Sequence, residues 1–370
     1  MRLSPGAALG YGGAGLSRGE RVRLFLLILG VLAAGPLAAG PLAAREVTDS
    51  VGRKVTVPDR VERVMAAGPT AAVLLYVLAP EKMIGWPNAP RLEERPYMRP
   101  AYRDLPEHGR LTGRGDTANI EVVLQAKPDL VFDFGSVTPT YVSLADRVQQ
   151  QTGLPYLLID GRLERSAASV RLLGSVIGVP ERAEAIARYI EETEKLVDGR
   201  LKDLPDTARR RVYLARQPNG LETGLRGSIN TEIVERAGGL NVAERATGRG
   251  GIANVSVEQL LAWAPDTVIT WDRNFFRGVY DDPVWAPVPA VKDRRVYLSP
   301  RVPFGWIDAP PSVNRFIGLR WIPTASPRTS VSTSATSTSC SIRSTSTSPG
   351  STGCSMRPAP PPRAGRDGSA

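Results

Sequence analysis

The chain has 370 residues, with 47 Lys and Arg against 37 Asp and Glu. Residues 1–44 contribute +3 and residues 323–370 contribute +4 of the formal charge of +10, so the segment between them carries +3 and gives little support for nucleic-acid binding. The only histidine is His108 and the only cysteines are Cys340 and Cys354, which argues against a zinc enzyme, a hydrolytic triad or a disulfide within the fold.

The N-terminal segment predicts a secretory signal. Arg18, Arg21 and Arg23 precede a long apolar run that thins into Gly, Ala and Pro, and we expect cleavage after Ala44. The alternative is an uncleaved membrane anchor, because the run approaches the length that spans a bilayer. The Gly-Pro breaks and the Ala-rich end favour cleavage, and no cysteine follows the run that could carry a lipid. We therefore expect the mature protein outside the cytoplasm.

Residues 45–163 predict an N-terminal α/β lobe in which strands and helices alternate, as in a largely parallel sheet. A Pro-, Arg- and Glu-rich segment, Pro87 to Gly115, has no period and predicts an ordered loop at the rim of this lobe. The other predicted elements are a hairpin around Gly52, strands over 61–66, 83–85, 130–134 and 156–159, and helices over 70–78 and 141–152.

A unit of similar sequence occurs twice. The first copy is ANIEVVLQAKPDLVFDFG, over 118–135, and the second is ANVSVEQLLAWAPDTVITWD, over 253–272. Each predicts a helix followed by a strand, and the second copy has two extra residues, Ser256 and Val257. Two copies imply two similar lobes with a cleft between them.

Residues 164–205 predict a helical segment that joins the lobes. Apolar residues at helical spacing follow Pro180, which suits the first helical position, and Pro205 ends the pattern. We expect one rigid helix from Pro180 to about Leu204, roughly 36 Å long.

Residues 206–322 predict a C-terminal α/β lobe. Its predicted elements are strands over 210–217, 267–271 and 295–298, a turn over 218–228, a helix over 229–237 stopped by Gly238 and Gly239, and a last helix for which Ser312 could be the N-cap.

From about Pro323 the sequence becomes a Ser/Thr-rich tail that cannot build a core, over residues 323–370. The change falls abruptly inside an amphipathic pattern, which favours a shifted reading frame over the alternative of a native flexible tail.

The ordered set of motifs resembles the periplasmic binding proteins that deliver iron chelates and cobalamin to ABC importers. The motifs are the signal, the strand followed by GPT, the two repeated units and the rigid helix between them, which together cover about Val47 to Trp321. The resemblance implies two Rossmann-like α/β lobes with a shallow ligand cleft and little closure. It departs at the C-terminus, where the family continues with helices. It also implies a periplasmic location, an iron chelate of siderophore, haem or ferric citrate type as ligand, and a permease as partner.

The resemblance further implies that Glu121 and Glu258 dock to arginines of that permease. Each glutamate falls in the first turn of a predicted helix, where the helix dipole and capping also favour a carboxylate, as with Ser256 and Gln259 in a capping box. Their equivalent places on two similar lobes favour docking.

Strand ends that face the cleft are where α/β sheets bind ligands, and neighbouring loops could form its walls. A packing role stays open for each tryptophan, and Arg216 is favoured because a fixed guanidinium pairs well with carboxylate or phenolate oxygens. The candidate ligand-binding residues are Thr70, Trp86, Asp133, Gly135, Arg216, Arg226, Trp271, Arg273 and Trp306, with Phe304 as a further wall.

Three alternatives remain open at this stage: a cobalamin or other corrinoid ligand, a bilobal enzyme such as a metal chelatase or glycosyl transferase, and a sensor that binds the same ligand. The exported leader and the missing histidines count against an enzyme. We expect a monomer that needs no cofactor and no resident metal, and that does not bind nucleic acid.

Overall fold

The computed structural model describes residues 43–113, 120–245 and 251–322. The predicted signal, the Ser/Thr-rich tail, and Ala118 and Asn119 of the first repeated unit lie outside these ranges. In the described ranges, no helix combines the length and the apolar character that crossing a membrane requires.

Three parallel strands form the sheet of the N-terminal lobe, with β4 between β3 and β5. Val64 pairs with Leu130, and Val131 pairs with Tyr156. Every residue of β4 and β5 is buried, as expected of a parallel sheet covered on both faces. The strands are β1 Ala44–Thr48, β2 Lys54–Pro58, β3 Val64–Ala66, β4 Leu130–Gly135 and β5 Tyr156–Asp160. The helices are α1 Pro69–Leu78, α2 Pro100–Arg103, α3 Ile120–Ala126, α4 Pro139–Thr152, α5 Ser166–Val176 and α6 Pro180–Leu201.

The predicted hairpin is confirmed. Strands β1 and β2 pair antiparallel, and Gly52 at the turn has a φ of +83°, a conformation that favours glycine.

The long helix α6 begins at Pro180, as predicted, and ends at Leu201, three residues earlier than predicted. The chain leaves the helix in a turn closed by the bond from Leu204 N to Leu201 O, ahead of Pro205. At 22 residues the helix is about 33 Å long. It packs on α5 so closely that a Cβ at Gly174 would meet Ala183 Cβ at 2.2 Å, so glycine is required there.

The C-terminal lobe has a four-stranded parallel sheet in the order β11-β10-β6-β8 and a small antiparallel pair, β7 and β9. The strands are β6 Arg211–Ala215, β7 Glu222–Gly224, β8 Leu240–Asn241, β9 Ile252–Asn254, β10 Thr267–Thr270 and β11 Val296–Leu298. The helices are α7 Glu232–Arg236, α8 Val257–Trp263, α9 Arg273–Gly278, α10 Pro289–Lys292 and α11 Arg315–Trp321.

One hydrophobic core runs through both lobes. It extends from Phe132 in β4, through Ile190 of α6, to Leu214 in β6 and Phe316 in α11. Two further clusters cover the other face of each sheet. Because the lobes share this core, they are packed against each other and not merely tethered.

A buried arginine adds a polar link between the lobes. Arg315 of α11 is fully buried, and it donates to Gly161 O of the N-terminal lobe at 2.6 Å and to Ile229 O at 2.7 Å. It also pairs with Glu232, which accepts a bond from Leu163 N at 3.0 Å. Burial raises the pKa of Glu232, against the lowering effect of Arg315. The two lobes therefore exchange hydrogen bonds through one ion pair, between the buried Arg315 and the half-buried Glu232.

Several predicted elements differ from the structure. Residues 83–85 form only an isolated bridge between Val64 and Met83, because the chain there pairs with the rim loop: Trp86 N donates to Pro106 O at 2.8 Å. The turn predicted over 218–228 contains the short strand β7. The helix predicted over 229–237 is only the short helix α7.

The N-cap predicted at Ser312 is also wrong. The cap position of α11 is Asn314, and the Ser312 hydroxyl instead donates to Thr70 O across the lobes at 2.8 Å.

Candidate ligand-binding cleft

The carboxyl ends of β10 and β11 bring two loops to one edge of the C-terminal sheet. The strands pair in parallel up to Thr270 and Leu298, and Ser299 N donates to Thr270 O at 2.7 Å. Trp271 and Ser299 are therefore the first residues beyond the two strands, side by side at the edge where α/β sheets bind ligands.

Asp272 turns the chain from β10 into α9. Its carboxylate accepts bonds from Asn274 N at 2.9 Å and Phe275 N at 3.0 Å, so it is the N-cap of the helix. Asp272 is buried, whereas the side chains of Arg273 and Asn274 are exposed.

A cavity of about 220 Å³ opens at this edge. Most of its lining comes from the loops after β10 and β11, and one side chain, Glu93, comes from the rim loop of the N-terminal lobe. The lining residues are Glu93, Asp272, Arg273, Asn274, Arg301 and Val302.

Two guanidinium groups in this cavity have their charge available. Among the described residues, neither Arg273 nor Arg301 forms an ion pair. The guanidinium of Arg301 lies over the ring of Trp271, 4.7 Å from its centroid, where cation–π attraction holds it. The cavity therefore presents two arginines and the amide of Asn274 to a ligand.

Arg216, one of the predicted ligand contacts, is paired within the protein. It forms ion pairs with Glu222 and with Asp308, both buried, and Asn230 Nδ2 donates to Asp308 Oδ1 at 2.7 Å. Only 11 % of its side chain is exposed. Its charge is neutralised inside the C-terminal lobe, and its contact with a ligand stays a prediction.

Trp86 packs in the hydrophobic core, as the packing alternative for each tryptophan allows. It is 4 % exposed, and its Nε1 donates to Tyr102 O at 2.7 Å. Its ring packs on Tyr76 with centroids 5.6 Å apart, and Phe304 of the C-terminal lobe lies 5.5 Å from the Tyr76 ring. This aromatic cluster packs the two lobes together beside the cleft.

At the N-terminal sheet edge, Asp133 is buried within β4. Burial raises the pKa of its carboxyl to about 6, although hydrogen bonds from Thr112 and from Phe134 N, the latter at 2.9 Å, lower it. Gly135 follows in close backbone contact with Gly161, where a Cβ would sit 2.7 Å from Gly135 Cα. Both residues lie at the predicted edge, and neither lines the cavity that contains the arginines.

The remaining predicted site residues are dispersed. Thr70 contributes its backbone oxygen to the bond with Ser312. Arg226 is exposed on the loop after β7, and Trp306 is half-buried after β11. Of the nine predicted ligand residues, only Arg273 lines the cavity, and Trp271 lies directly beneath Arg301.

Sequence reasoning missed Arg301, Asn274 and Glu93. The first two follow strands that it had identified, β11 and β10, so the rule that ligands gather at strand ends could have found them. Glu93 carries no such signal, because it lies in an aperiodic loop.

A second cavity, of about 320 Å³, lies in the N-terminal lobe beside α4. It is lined by Leu111, Thr112, Gly113, Thr140, Tyr141, Ser143, Leu144 and Arg147. Among the described residues, its lining includes one cationic side chain, Arg147, and comes from that lobe.

The two glutamates predicted to dock are exposed in the first turns of α3 and α8. The capping box of α8 is confirmed, since Ser256 accepts from Gln259 N and Gln259 accepts from Ser256 N. A bond from its own backbone N–H, followed by the Ser256 side chain, lowers the pKa of Glu258. Each helix precedes a parallel strand, so Glu121 and Glu258 lie toward the carboxyl edges of their sheets, on the cleft side.

Comparison with known proteins links this architecture to solute binding. Residues 64–303 match the family model described as periplasmic binding protein. The chain is 28 % identical over 289 residues to the molybdate-binding protein MolA of Haemophilus influenzae, covering 71 % of this chain and 79 % of that protein. It is 28 % identical over 175 residues to a vitamin B12-binding protein of Salmonella choleraesuis, covering 46 % of this chain and 62 % of that protein.

Solved structures show the same fold. An ABC transporter solute-binding protein from Sulfurospirillum deleyianum superposes with a TM-score of 0.69 at 26 % identity, over 76 % of this chain and 88 % of that one. MolA bound to molybdate superposes with a TM-score of 0.62 at 23 % identity, over 75 % and 89 %.

Proposed function

We propose, from the premise that this chain belongs to the periplasmic binding protein family, that it captures an anionic solute outside the cytoplasm and delivers it to the permease of an ABC importer. Proteins of this family bind solutes and are not enzymes, and we propose no catalytic step for this chain. The two-lobed α/β fold with parallel sheets matches that of the ABC transporter solute-binding protein from Sulfurospirillum deleyianum.

The pair of arginines in the cleft is the observation that supports an anionic solute. Arg273 and Arg301 line one cavity and form no ion pair among the described residues, whereas Arg216 is neutralised by two carboxylates. A guanidinium binds carboxylate and other oxyanions through charge-assisted hydrogen bonds.

An iron chelate of siderophore, haem or ferric citrate type is the first candidate, as the sequence resemblance implies, and a corrinoid is its variant. Carboxylate or phenolate oxygens of such a chelate would pair with the two arginines. A metal oxyanion such as molybdate is the second candidate, favoured by the similarity to MolA over 71 % of this chain.

The test is a titration of the purified chain by isothermal calorimetry with ferric citrate, a ferric siderophore, haem, cyanocobalamin and molybdate. We expect one of these to bind at micromolar concentration and to be released unchanged. Arg273→Gln should weaken that binding, whereas Arg277→Gln, at the other end of α9, should not. The absence of binding by every solute would contradict the proposal.

The proposed partner is the permease, to which Glu121 and Glu258 would dock. We further propose that the chain acts as a periplasmic monomer. The exposure of the two glutamates in the first turns of equivalent helices supports docking. The double variant Glu121→Gln and Glu258→Gln should lose uptake in cells that lack the native protein while it retains solute affinity. Normal uptake by the folded double variant would show that the glutamates only favour their helices.

A further inference from the structure

We infer that the solute held by Arg273 and Arg301 is a compact tetrahedral oxyanion and not a large metal chelate. The inference rests on the proposed function and narrows its solute class. Three features of the cleft support it: the size of the cavity, the polarity of its lining, and a buried donor of Arg301 that lacks a partner.

The cavity is small. Its volume of about 220 Å³ is below the range of about 300 to 1,000 Å³ typical of sites for drug-sized ligands. A haem, a corrinoid or a hexadentate siderophore is at least drug-sized. An ion with four oxygens around one central atom fits with room for water.

The lining is polar. Of the six lining residues, only Val302 is apolar, and the others carry charged or amide groups. Large chelates and macrocycles expose wide apolar faces, and their sites are lined mainly by apolar and aromatic side chains.

Three aromatic rings near the cleft already pack against other side chains of the protein. Trp86 is in the core, and Phe304 packs against Tyr76. The ring of Trp271 is within 6 Å of two guanidinium groups, at 4.7 Å for Arg301 and 5.9 Å for Arg216.

One of the two arginines also carries a donor that lacks a partner. The Nε of Arg301, which lines the cavity, is buried and has no hydrogen-bond partner among the residues that the structure describes. An unpaired buried donor is costly, so such groups signal a missing acceptor.

A tetrahedral oxyanion supplies an acceptor for the unpaired donor of Arg301. Each of its oxygens accepts hydrogen bonds, and its charge complements Arg273 and Arg301. The Asn274 amide adds a further exposed donor from the start of α9. Of the Asp272 carboxylate, Oδ1 is engaged by two backbone N–H groups of α9. The C-terminal lobe would thus supply nearly all contacts to the anion.

The experiment is calorimetry of the full chain with the sodium salts of molybdate, tungstate, sulfate and phosphate, next to ferric citrate and cyanocobalamin. We expect at least one oxyanion to bind more tightly than either of the two large solutes. Molybdate and tungstate, which are larger than sulfate and phosphate, distinguish recognition of size from recognition of charge alone.

The variants locate the site. Arg301→Gln and Arg273→Gln should each weaken oxyanion binding by about tenfold or more, since each removes a charge-assisted hydrogen bond. Arg277→Gln, which removes the same charge from the same helix outside the cavity, should bind as the native chain does. Thermal melting by circular dichroism checks that each variant is folded.

The outcomes separate this inference from the proposed function. Tight binding of ferric citrate or cyanocobalamin without oxyanion binding would overturn the inference and leave solute capture intact. Oxyanion binding that survives both arginine replacements would overturn the assigned site. If no solute binds and uptake does not depend on the chain, the proposed function itself fails.

Discussion

The two lobes are built from the same unit, yet they place opposite chemistry at equivalent strand ends. In the N-terminal copy, β4 holds Asp133, a buried carboxyl whose pKa burial raises to about 6. In the C-terminal copy, β10 leads into Trp271, Asp272 and Arg273, and Arg301 joins them from the next strand. The shared scaffold fixes where a ligand can sit, whereas the loops beyond the strands determine its charge.

The charged residues of the two lobes differ in residue type and also in their position relative to the end of the strand. Asp133 lies two residues before the end of β4, inside the sheet, so its side chain is surrounded by protein. Arg273 and Arg301 lie three residues beyond the ends of β10 and β11, where side chains reach the cleft. We therefore expect the C-terminal lobe to recognise the solute and the N-terminal lobe to close its site.

The largest expected effect is loss of binding when both cleft arginines are removed. Arg273→Gln with Arg301→Gln removes two charge-assisted bonds of about 1.5 to 3 kcal/mol each, so affinity for the anion should fall by about 100-fold or more. Arg147→Gln in the N-terminal cavity is the matched change and should leave the affinity within about twofold. A strong effect of Arg147→Gln would reverse the roles of the lobes.

The next effect concerns the link between the lobes. Arg315→Met leaves the half-buried Glu232 without its partner and removes the donors to Gly161 O and Ile229 O, so the free energy of unfolding should fall by about 2 to 4 kcal/mol. Urea denaturation measures this. Arg171→Met removes an exposed arginine that bridges α5 and α6 and should cost far less. Equal losses of unfolding free energy in the two variants would show that Arg315 stabilises the fold no more than an ordinary surface arginine does.

A smaller effect should appear in the pH dependence of stability. Because the pKa of Asp133 is about 6 in the folded chain against 3.8 for the unfolded group, its favourable contribution is complete below pH 3.8 and is lost as the pH rises through 6. The loss amounts to about 3 kcal/mol. Asp133→Asn should therefore be more stable than the native chain at pH 7.5 and equal to it near pH 4.

Denaturation of the native chain and of Asp133→Asn across this pH range tests the sign of the stability difference. Asp203→Asn, which changes an exposed carboxyl, is the control. If Asp133→Asn is destabilised to the same extent at both pH values, the hydrogen bonds accepted by the Asp133 carboxylate stabilise the fold and burial does not destabilise its charged form.

The smallest effect should come from the one N-terminal side chain in the cavity. Glu93→Gln removes a carboxylate that repels a fully deprotonated anion, so affinity for molybdate should rise about two- to fivefold. Glu192→Gln on α6 should not change it. Weaker binding in Glu93→Gln would show that the solute offers Glu93 a donor or a positive charge.

Much of the fold could be predicted from the sequence because its signals are local. The repeated unit, the hairpin around Gly52 and the start of α6 at Pro180 each follow from residue type and spacing. The strand predicted over 83–85 failed because its partner is the aperiodic rim loop, which no periodicity reveals.

The site was less predictable because charge pairing is a long-range property. The strand-end rule predicted Trp271 and Arg273, and the structure places Arg273 in the cavity and Trp271 against Arg301. The ion pair of Arg216 was not predicted, because its partner Asp308 lies 92 residues away in the chain and only the fold brings them together. The same limit hid the difference between Arg216, which is neutralised, and Arg301, which is not.

The most direct test of the unequal roles of the lobes is the anomalous scattering of tungstate in crystals of the full chain. The account predicts one strong peak in the cleft, within hydrogen-bonding distance of the Arg273 and Arg301 side chains. A peak in the N-terminal cavity beside Thr112 and Arg147, with none at the arginine pair, would contradict it.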